Sequence, residues 1–262
     1  MDALIGHTGF VGANLAAQHR FDACFNSRNI EEAHDSTFEL LVCAGVRAEK
    51  WIANGDEAGD KARIDALTAV LGRVKAERAV LISTTDVYAD TRGRDEDHPV
   101  DITTNQPYGR NRALFELAFR ERFPQALIVR LPGLFGPGIK KNVVHDLLKN
   151  HEVEKINTEG RHQYYGLLRL WQDIELAMHH GLLLLNIATP PLQVEDLAAQ
   201  VFGIRYRNVL PNAADYDMHT RYGHLWGRND RYTLGMEEVI ADLRDFVRDH
   251  PERKLLPYAP FA

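Results

Sequence analysis

The stretch Ile5-Gly6-His7-Thr8-Gly9-Phe10-Val11-Gly12 constrains the fold of this chain more than any other. Ala3, Leu4 and Ile5 lead into it and read as a short buried strand, while Ala13 to His19 read as a helix after it. A strand, a glycine-spaced turn and a helix in that order make a phosphate cradle of the dinucleotide-binding type. Gly6 permits the tight turn, Gly9 lets backbone approach a pyrophosphate, and Gly12 lets helix pack on strand. N–H groups in the first turn of such a helix have no intrahelical acceptors and can hold an anion. Gly6, Gly9, Phe10, Val11 and Gly12 are therefore the candidate phosphate contacts.

In such a fold the ribose of the cofactor meets an acid roughly 20 residues past the first glycine, at the end of the second strand. Here Phe21 to Asn26 is the expected strand, and Asn26 is followed by Ser27 and Arg28. A carboxylate would accept from the ribose hydroxyls and repel a 2′-phosphate. Asn26 does neither strongly, and Arg28 can pair with such a phosphate. The pair points to NADP(H), with NAD(H) and a merely solvated Arg28 left open. The next strand, Phe38 to Cys43, ends in Ala44-Gly45-Val46, small residues that let a cofactor lie close to backbone.

Further on, apolar residues at helical spacing (Ile64, Leu67, Val70, Leu71) follow a start near Trp51. Ala79 to Ser83 is another central strand, and Thr84, Thr85 and Asp86 emerge from its carboxyl end, where open α/β sheets bind ligands. A polar loop runs to Gln106. Tyr108 to Phe123 is a helix expected to turn Leu114, Leu117, Ala118 and Phe119 to the core, and Ala126 to Leu131 is the following strand. This alternation argues βαβ units in one parallel sheet. Helices are expected over Val143–Leu148, Leu168–His180, Val194–Phe202 and Met236–Val247, with a short strand at Leu185–Ala188.

The 262 residues suit one doubly wound domain with a smaller addition. Net charge is -6 with no basic tract, so no nucleic-acid partner is expected. No signal peptide and no membrane span are expected: the glycine turn begins at residue 6, and the run at Leu182 to Leu185 is far too short for a bilayer. Cys24 and Cys43 read as two buried thiols of a reducing cytoplasm. The 12 histidines show no helical i, i+4 ligand pair, so no metal is expected.

Hydride exchange needs a proton donor beside the reacting oxygen, a hydroxyl to hold that oxygen and a cation to tune the donor. Tyr108 is the candidate acid/base. Its pKa must come down from about 10 toward neutrality, a differential of about 4 kcal/mol. Arg112 lies one helical turn on, at i+4, and the helix N-terminus adds to its pull. Thr84 supplies the hydroxyl, and Ser83 and Asp86 stand beside it.

Gly6-x-x-Gly9-x-x-Gly12, Ser83-Thr84-Thr85-Asp86-Val87-Tyr88, Tyr108-Gly109-x-x-Arg112 and Leu131-Pro132-Gly133-Leu134-Phe135-Gly136-Pro137-Gly138 follow one another in register over residues 3 to 142. Together they resemble the extended short-chain dehydrogenase/reductase family, in particular its NAD-dependent epimerase/dehydratase branch acting on nucleotide sugars. The resemblance implies a Rossmann-type doubly wound parallel sheet over residues 1–138, with a returning segment near 182–190. A small, mostly helical substrate lobe over 139–262 would complete it. It implies Tyr108 as acid/base, Thr84 as the orienting hydroxyl, Pro132, Gly133 and Leu134 lining the nicotinamide, and Asn142 at the edge of the substrate pocket. The family pattern carries lysine where this chain has Arg112. An arginine keeps the charge but cannot release a proton, so a relay through that position is lost. Dehydratases of the branch follow the threonine with two acids; here only Asp86 matches the second. The expected function is NAD(P)-dependent oxidoreduction or epimerisation of a nucleotide sugar or related hydroxyl/ketone substrate, with a homodimer compatible with it. The alternative is a non-catalytic NAD(P)-binding or regulatory protein of the same fold.

Overall fold

The computed structural model describes residues 1–254 and Leu256. In chain order the first half consists of β1 (Asp2–Ile5), α1 (Phe10–Gln18), β2 (Ala23–Phe25), β3 (Thr37–Cys43), α2 (Lys50–Gly55) and α3 (Glu57–Leu71). Next come β4 (Lys75–Thr84), α4 (Pro107–Arg122), β5 (Leu127–Leu131), β6 (Gly133–Phe135) and α5 (Val143–Lys149). The remainder is β7 (Arg161–His162), β8 (Tyr164–Gly166), α6 (Leu170–His179), β9 (Leu184–Asn186), β10 (Leu192–Gln193), α7 (Val194–Leu197) and α8 (Met236–Arg248). Among the described residues no helix is long and apolar enough to cross a membrane.

The chain divides into two compact units. The first (Met1–Asp90, Glu96–Leu131 and Leu168–Asn186) holds a six-stranded parallel sheet in the order β2-β1-β3-β4-β5-β9. The fold is thus the Rossmann-type parallel sheet that the glycine motif implies. The strand order reverses between β1 and β3, and in open α/β sheets the crevice at such a switch point is where ligands bind. β5 and most of β3 are buried, which explains their near-continuous apolar runs. β4 begins four residues earlier than its apolar run, because Lys75, Ala76 and Arg78 pair in parallel register with Thr37, Phe38 and Leu40 although Lys75, Glu77 and Arg78 are charged.

On one face Ile64, Val70 and Leu71 of α3 and Phe115 and Phe119 of α4 pack on Ile5, Leu41, Leu81 and Ile128 of the strands. Phe119 and Phe123 lie 5.0 Å apart, tilted. The inward face of α4 differs from the apolar expectation: Leu117 is 61% exposed and Leu114 also faces solvent, while Arg112 and Glu116 are buried. Two internal ion pairs, described below, outcompete the leucines for that face. His19, just past the end of α1, stacks on Trp171 of α6 with ring centroids 4.0 Å apart.

The second unit comprises Thr91–Asp95, Pro132–Leu167 and Ile187–Ala262. Besides α5, α7 and α8 it carries two small sheets that no sequence pattern marks: β6 beside β8, parallel, and β7 beside β10, antiparallel. The helix read over Val194–Phe202 is α only to Leu197 and continues as a π-helix from Ala198 to Phe202.

Candidate functional site

The glycine stretch forms the turn between β1 and α1. Gly6 sits at φ +88, a backbone region that L side chains rarely adopt, and its N–H donates to Phe25 O at 2.7 Å. A Cβ on Gly12 would lie 2.1 Å from Gly6 O, so helix and turn approach as closely as backbone allows. α1 starts at Phe10, three residues earlier than the residue pattern suggests. Gly9 is its N-cap without a side-chain cap, and no acid lies in its first turn. The N–H groups of Phe10, Val11 and Gly12 therefore belong to the first turn and, by helical geometry, lack intrahelical acceptors. Beside the turn, Ala44 donates its N–H to Ile5 O at 2.9 Å as β3 ends. Gly45 is exposed there, with Ala44 and Val46 partly so. This bare strip at the switch point fits a dinucleotide pyrophosphate.

At the end of β2, Asn26 is occupied by its own turn. Its N–H donates to Asn29 Oδ1 at 2.8 Å, and its Oδ1 accepts from the Arg28 N–H at 2.9 Å. The Arg28 residue is exposed. His7, which sequence reasoning passed over, lies with Nε2 3.5 Å from Asn26 Nδ2 and Nδ1 3.1 Å from Phe25 O.

At the carboxyl end of β4, the Thr84 hydroxyl accepts the Asp86 N–H at 3.1 Å and is near enough to the Tyr108 phenol to favour its ionised form. Tyr108 stands in the first turn of α4, 6% exposed, its N–H bonded to Asn54 Oδ1 of α2 at 2.9 Å. The two residues expected to share the chemistry are thus brought together.

Arg112 is placed differently from its expected role. It is 4% exposed and grips Asp60 of α3 with both ends of its fork, Nη1 to Oδ2 at 2.5 Å and Nη2 to Oδ1 at 3.0 Å. It also donates to Tyr108 O at 3.2 Å and to Arg47 O at 2.5 Å. Its guanidinium carbon lies 3.9 Å from the Tyr108 ring centroid. Burial pushes the Tyr108 phenol above its ordinary value; Arg112 opposes this, Asp86 adds to it, and Thr84 and Lys50 oppose it. The net direction is upward, so the cation at i+4 does not bring the phenol toward neutrality. Asp60 engages the same guanidinium, and burial dominates.

Besides His7, sequence reasoning missed Lys50 and Asp60 at this site. Lys50, at the start of α2, sets its Nζ 2.9 Å from Asp86 Oδ1 and remains partly exposed. Ser83 turns its hydroxyl to Glu116 at 2.5 Å. Glu116 in turn pairs with Arg130 at 2.6 Å, and Arg130 reaches the Tyr88 phenol at 2.7 Å. This buried network ties β4, α4 and β5 together beneath the site.

Pro132, Gly133, Leu134 and Asn142 belong to the second unit. Gly133 and Leu134 pair with Tyr164 and Tyr165 as β6 against β8. Asn142 caps α5 through Oδ1, which accepts the His145 N–H at 3.1 Å, and donates Nδ2 to Leu134 O at 2.7 Å. Its amide is thereby engaged within its own unit.

The sequence matches no family model and no curated protein. Its fold, however, is shared with solved enzymes almost end to end. TunA, an NAD-dependent NDP-hexosamine 5,6-dehydratase of tunicamycin biosynthesis, is similar at TM-score 0.70 and 18% identity, over 95% of this chain and 98% of that one. The dTDP-4-dehydrorhamnose reductase of Yersinia enterocolitica gives 0.67 and 15%, covering 94% and 98%. A double mutant of DesIV, the dTDP-glucose 4,6-dehydratase of Streptomyces venezuelae, with NAD bound, gives 0.70 and 14%, covering 95% and 98%. Identities this low establish a common fold.

Proposed function

We propose that this chain binds a nicotinamide dinucleotide along the β1/β3 switch point and is an oxidoreductase or epimerase of a nucleotide sugar or related hydroxyl/ketone substrate. The observation that carries the reading is the Tyr108 phenol beside the Thr84 hydroxyl at the carboxyl end of β4, in the sheet whose switch point carries the glycine turn. The neighbours of this fold that act on nucleotide sugars support the substrate class. A bound nicotinamide supplies hydride exchange. Thr84 holds the reacting oxygen, and Tyr108, kept protonated by burial, delivers its proton to that oxygen as the hydride adds; in the reverse direction the phenolate takes the proton back. Lys50 and Asp86 set the electrostatic surroundings of that phenol. Arg112 fixes the ring from behind and, locked on Asp60, plays no part in proton relay.

The cofactor reading is NADP(H) ahead of NAD(H), because Asn26 brings no carboxylate to the ribose and Arg28 stands exposed beside it. Tighter binding of NADH than NADPH, or equal weakening of both in Arg28→Ala, overturns that order. Pro132, Gly133 and Leu134 are assigned to the nicotinamide and Asn142 to the substrate edge. Residues 1–138 with 182–190 form the cofactor domain in this reading and 139–262 the substrate lobe, in a cytoplasmic protein compatible with a homodimer. Water elimination is not part of it, since Thr85 fills the place of the first acid and is buried.

Tyr108→Phe is expected to abolish turnover of a nucleotide sugar while leaving dinucleotide affinity nearly intact; unchanged turnover overturns the catalytic assignment. A reductase consumes reduced-nicotinamide absorbance in step with substrate, and an epimerase consumes none. The commitment of Arg112 to Asp60 favours a second reading, a cofactor-binding protein without catalysis. Tight dinucleotide binding with no turnover of any nucleotide sugar in wild type would select it.

A further inference from the structure

The second unit gathers three metal-ligating side chains at the end of α5. The helix stops at Asn150, which adopts left-handed backbone with φ 51 and ψ 50. The N–H groups of both Asn150 and His151 return to Asp146 O, the latter at 2.9 Å. Such paired bonds fold the chain back over the last helical turn. They carry His151 onto the face that already holds His145 and Asp146.

His145 Nδ1 lies 2.8 Å from Asp146 Oδ1, and His151 Nδ1 lies 3.4 Å from the same oxygen. One ligand atom from each of the three residues falls within 4.8 Å of the others. An ion held at about 2.1 Å from nitrogen and oxygen donors needs neighbouring donors about 3.0 Å apart in octahedral and about 3.4 Å apart in tetrahedral geometry. The two separations at Asp146 bracket that range. A simple ion pair would use one imidazole; here two rings turn the same nitrogen to one carboxylate oxygen.

We propose that His145, Asp146 and His151 form a site for a divalent transition-metal ion of the zinc or cobalt kind. Two imidazoles and one carboxylate suit such borderline ions, whereas calcium and magnesium favour all-oxygen sets. Three protein donors leave at least one coordination position for water or a small ligand. Asp146 also lines a cavity of about 320 Å³ together with Asn142, Glu152, Lys155, Asn157 and His162. Lys149, the cation nearest in sequence, is paired with Glu252. The three residues belong to the second unit, and the proposal does not rest on the proposed reaction.

The i, i+1, i+6 spacing of the three residues differs from the i, i+4 spacing of a helical histidine pair. Only the turn at Asn150 joins the three residues.

Calorimetric titration of the untagged full chain with cobalt(II) chloride, followed also by the visible absorption of the bound ion, tests the site. Wild type is expected to bind one ion per chain. His151→Ala and Asp146→Asn are each expected to weaken binding by at least about tenfold with an unchanged far-ultraviolet circular dichroism spectrum. The His151 side chain is 58% exposed, so its removal leaves the packing of α5 in place. Absence of saturable binding in wild type, or wild-type affinity in the double variant, overturns the proposal.

Discussion

Arg112 and Asp60 form the pair at this site in which sequence and structure diverge most. A guanidinium read from its spacing as a tuning cation for Tyr108 is the buried half of a bidentate ion pair. That Tyr108 and Thr84 lie close together was legible because each stands at an element boundary, Thr84 at the end of β4 and Tyr108 in the first turn of α4. Asp60 and Lys50 were not, because 52 residues separate Arg112 from Asp60 and 36 separate Lys50 from Asp86, and no local period encodes such partners. Removing one member of a buried pair strands the other's charge. Asp60→Ala is therefore expected to destabilise the fold by about 3–5 kcal/mol, read from urea unfolding; a loss below about 1 kcal/mol would show that the pair is dispensable. Lys50→Met acts on the phenol instead. It removes a cation that lowers the Tyr108 pKa and takes the Lys50 ammonium away from Asp86, which raises it, so ionisation of Tyr108 should move to higher pH. The ultraviolet difference between each protein and its Tyr108→Phe counterpart isolates that titration. An unmoved midpoint removes Lys50 from the site.

At the scale of elements, strands and helices whose own residues carry their burial were readable. β1 and β3 show apolar runs because the sheet is covered on both faces, and α8 presents Val239, Ile240 and Leu243 as one buried stripe. Elements held by pairing were not readable. The polar first half of β4 is a strand only because β3 runs beside it, and β7 and β10 are each two residues long. The leucines of α4 misled for the same reason, since ion pairing to α3 and β5 decides which face turns in. The β1–α1 turn makes the sharpest element-level prediction. Gly12→Ala places a methyl group against Gly6 O, backbone against which no flexible side chain can yield. The helix start must move, and with it the N–H groups of Phe10 and Val11. Dinucleotide affinity measured by fluorescence titration is expected to fall by at least about tenfold, equivalent to about 1.4 kcal/mol. Affinity within twofold of wild type would place the pyrophosphate elsewhere.

Stability as a function of pH belongs to the whole molecule, and in this chain one histidine of the second unit sets a defined part of it. His162 stacks on Tyr216, with ring centroids 5.7 Å apart, and burial lowers its pKa from an ordinary 6.5 to about 4. Between those values the unfolded chain takes up a proton at this residue and the folded chain does not. The unfolded state then binds more protons, so folding stability falls as pH drops from about 6.5 and levels off below about 4. The full difference is worth roughly 3 kcal/mol. His162→Phe keeps an aromatic ring against Tyr216 and removes the titration. Urea unfolding at a series of pH values, with chelator present so that metal ions do not compete for histidine, should show the variant losing less stability than wild type across that window. Parallel curves would mean that His162 titrates alike in both states, and that its burial against Tyr216 and Tyr164 does not exclude the protonated ring.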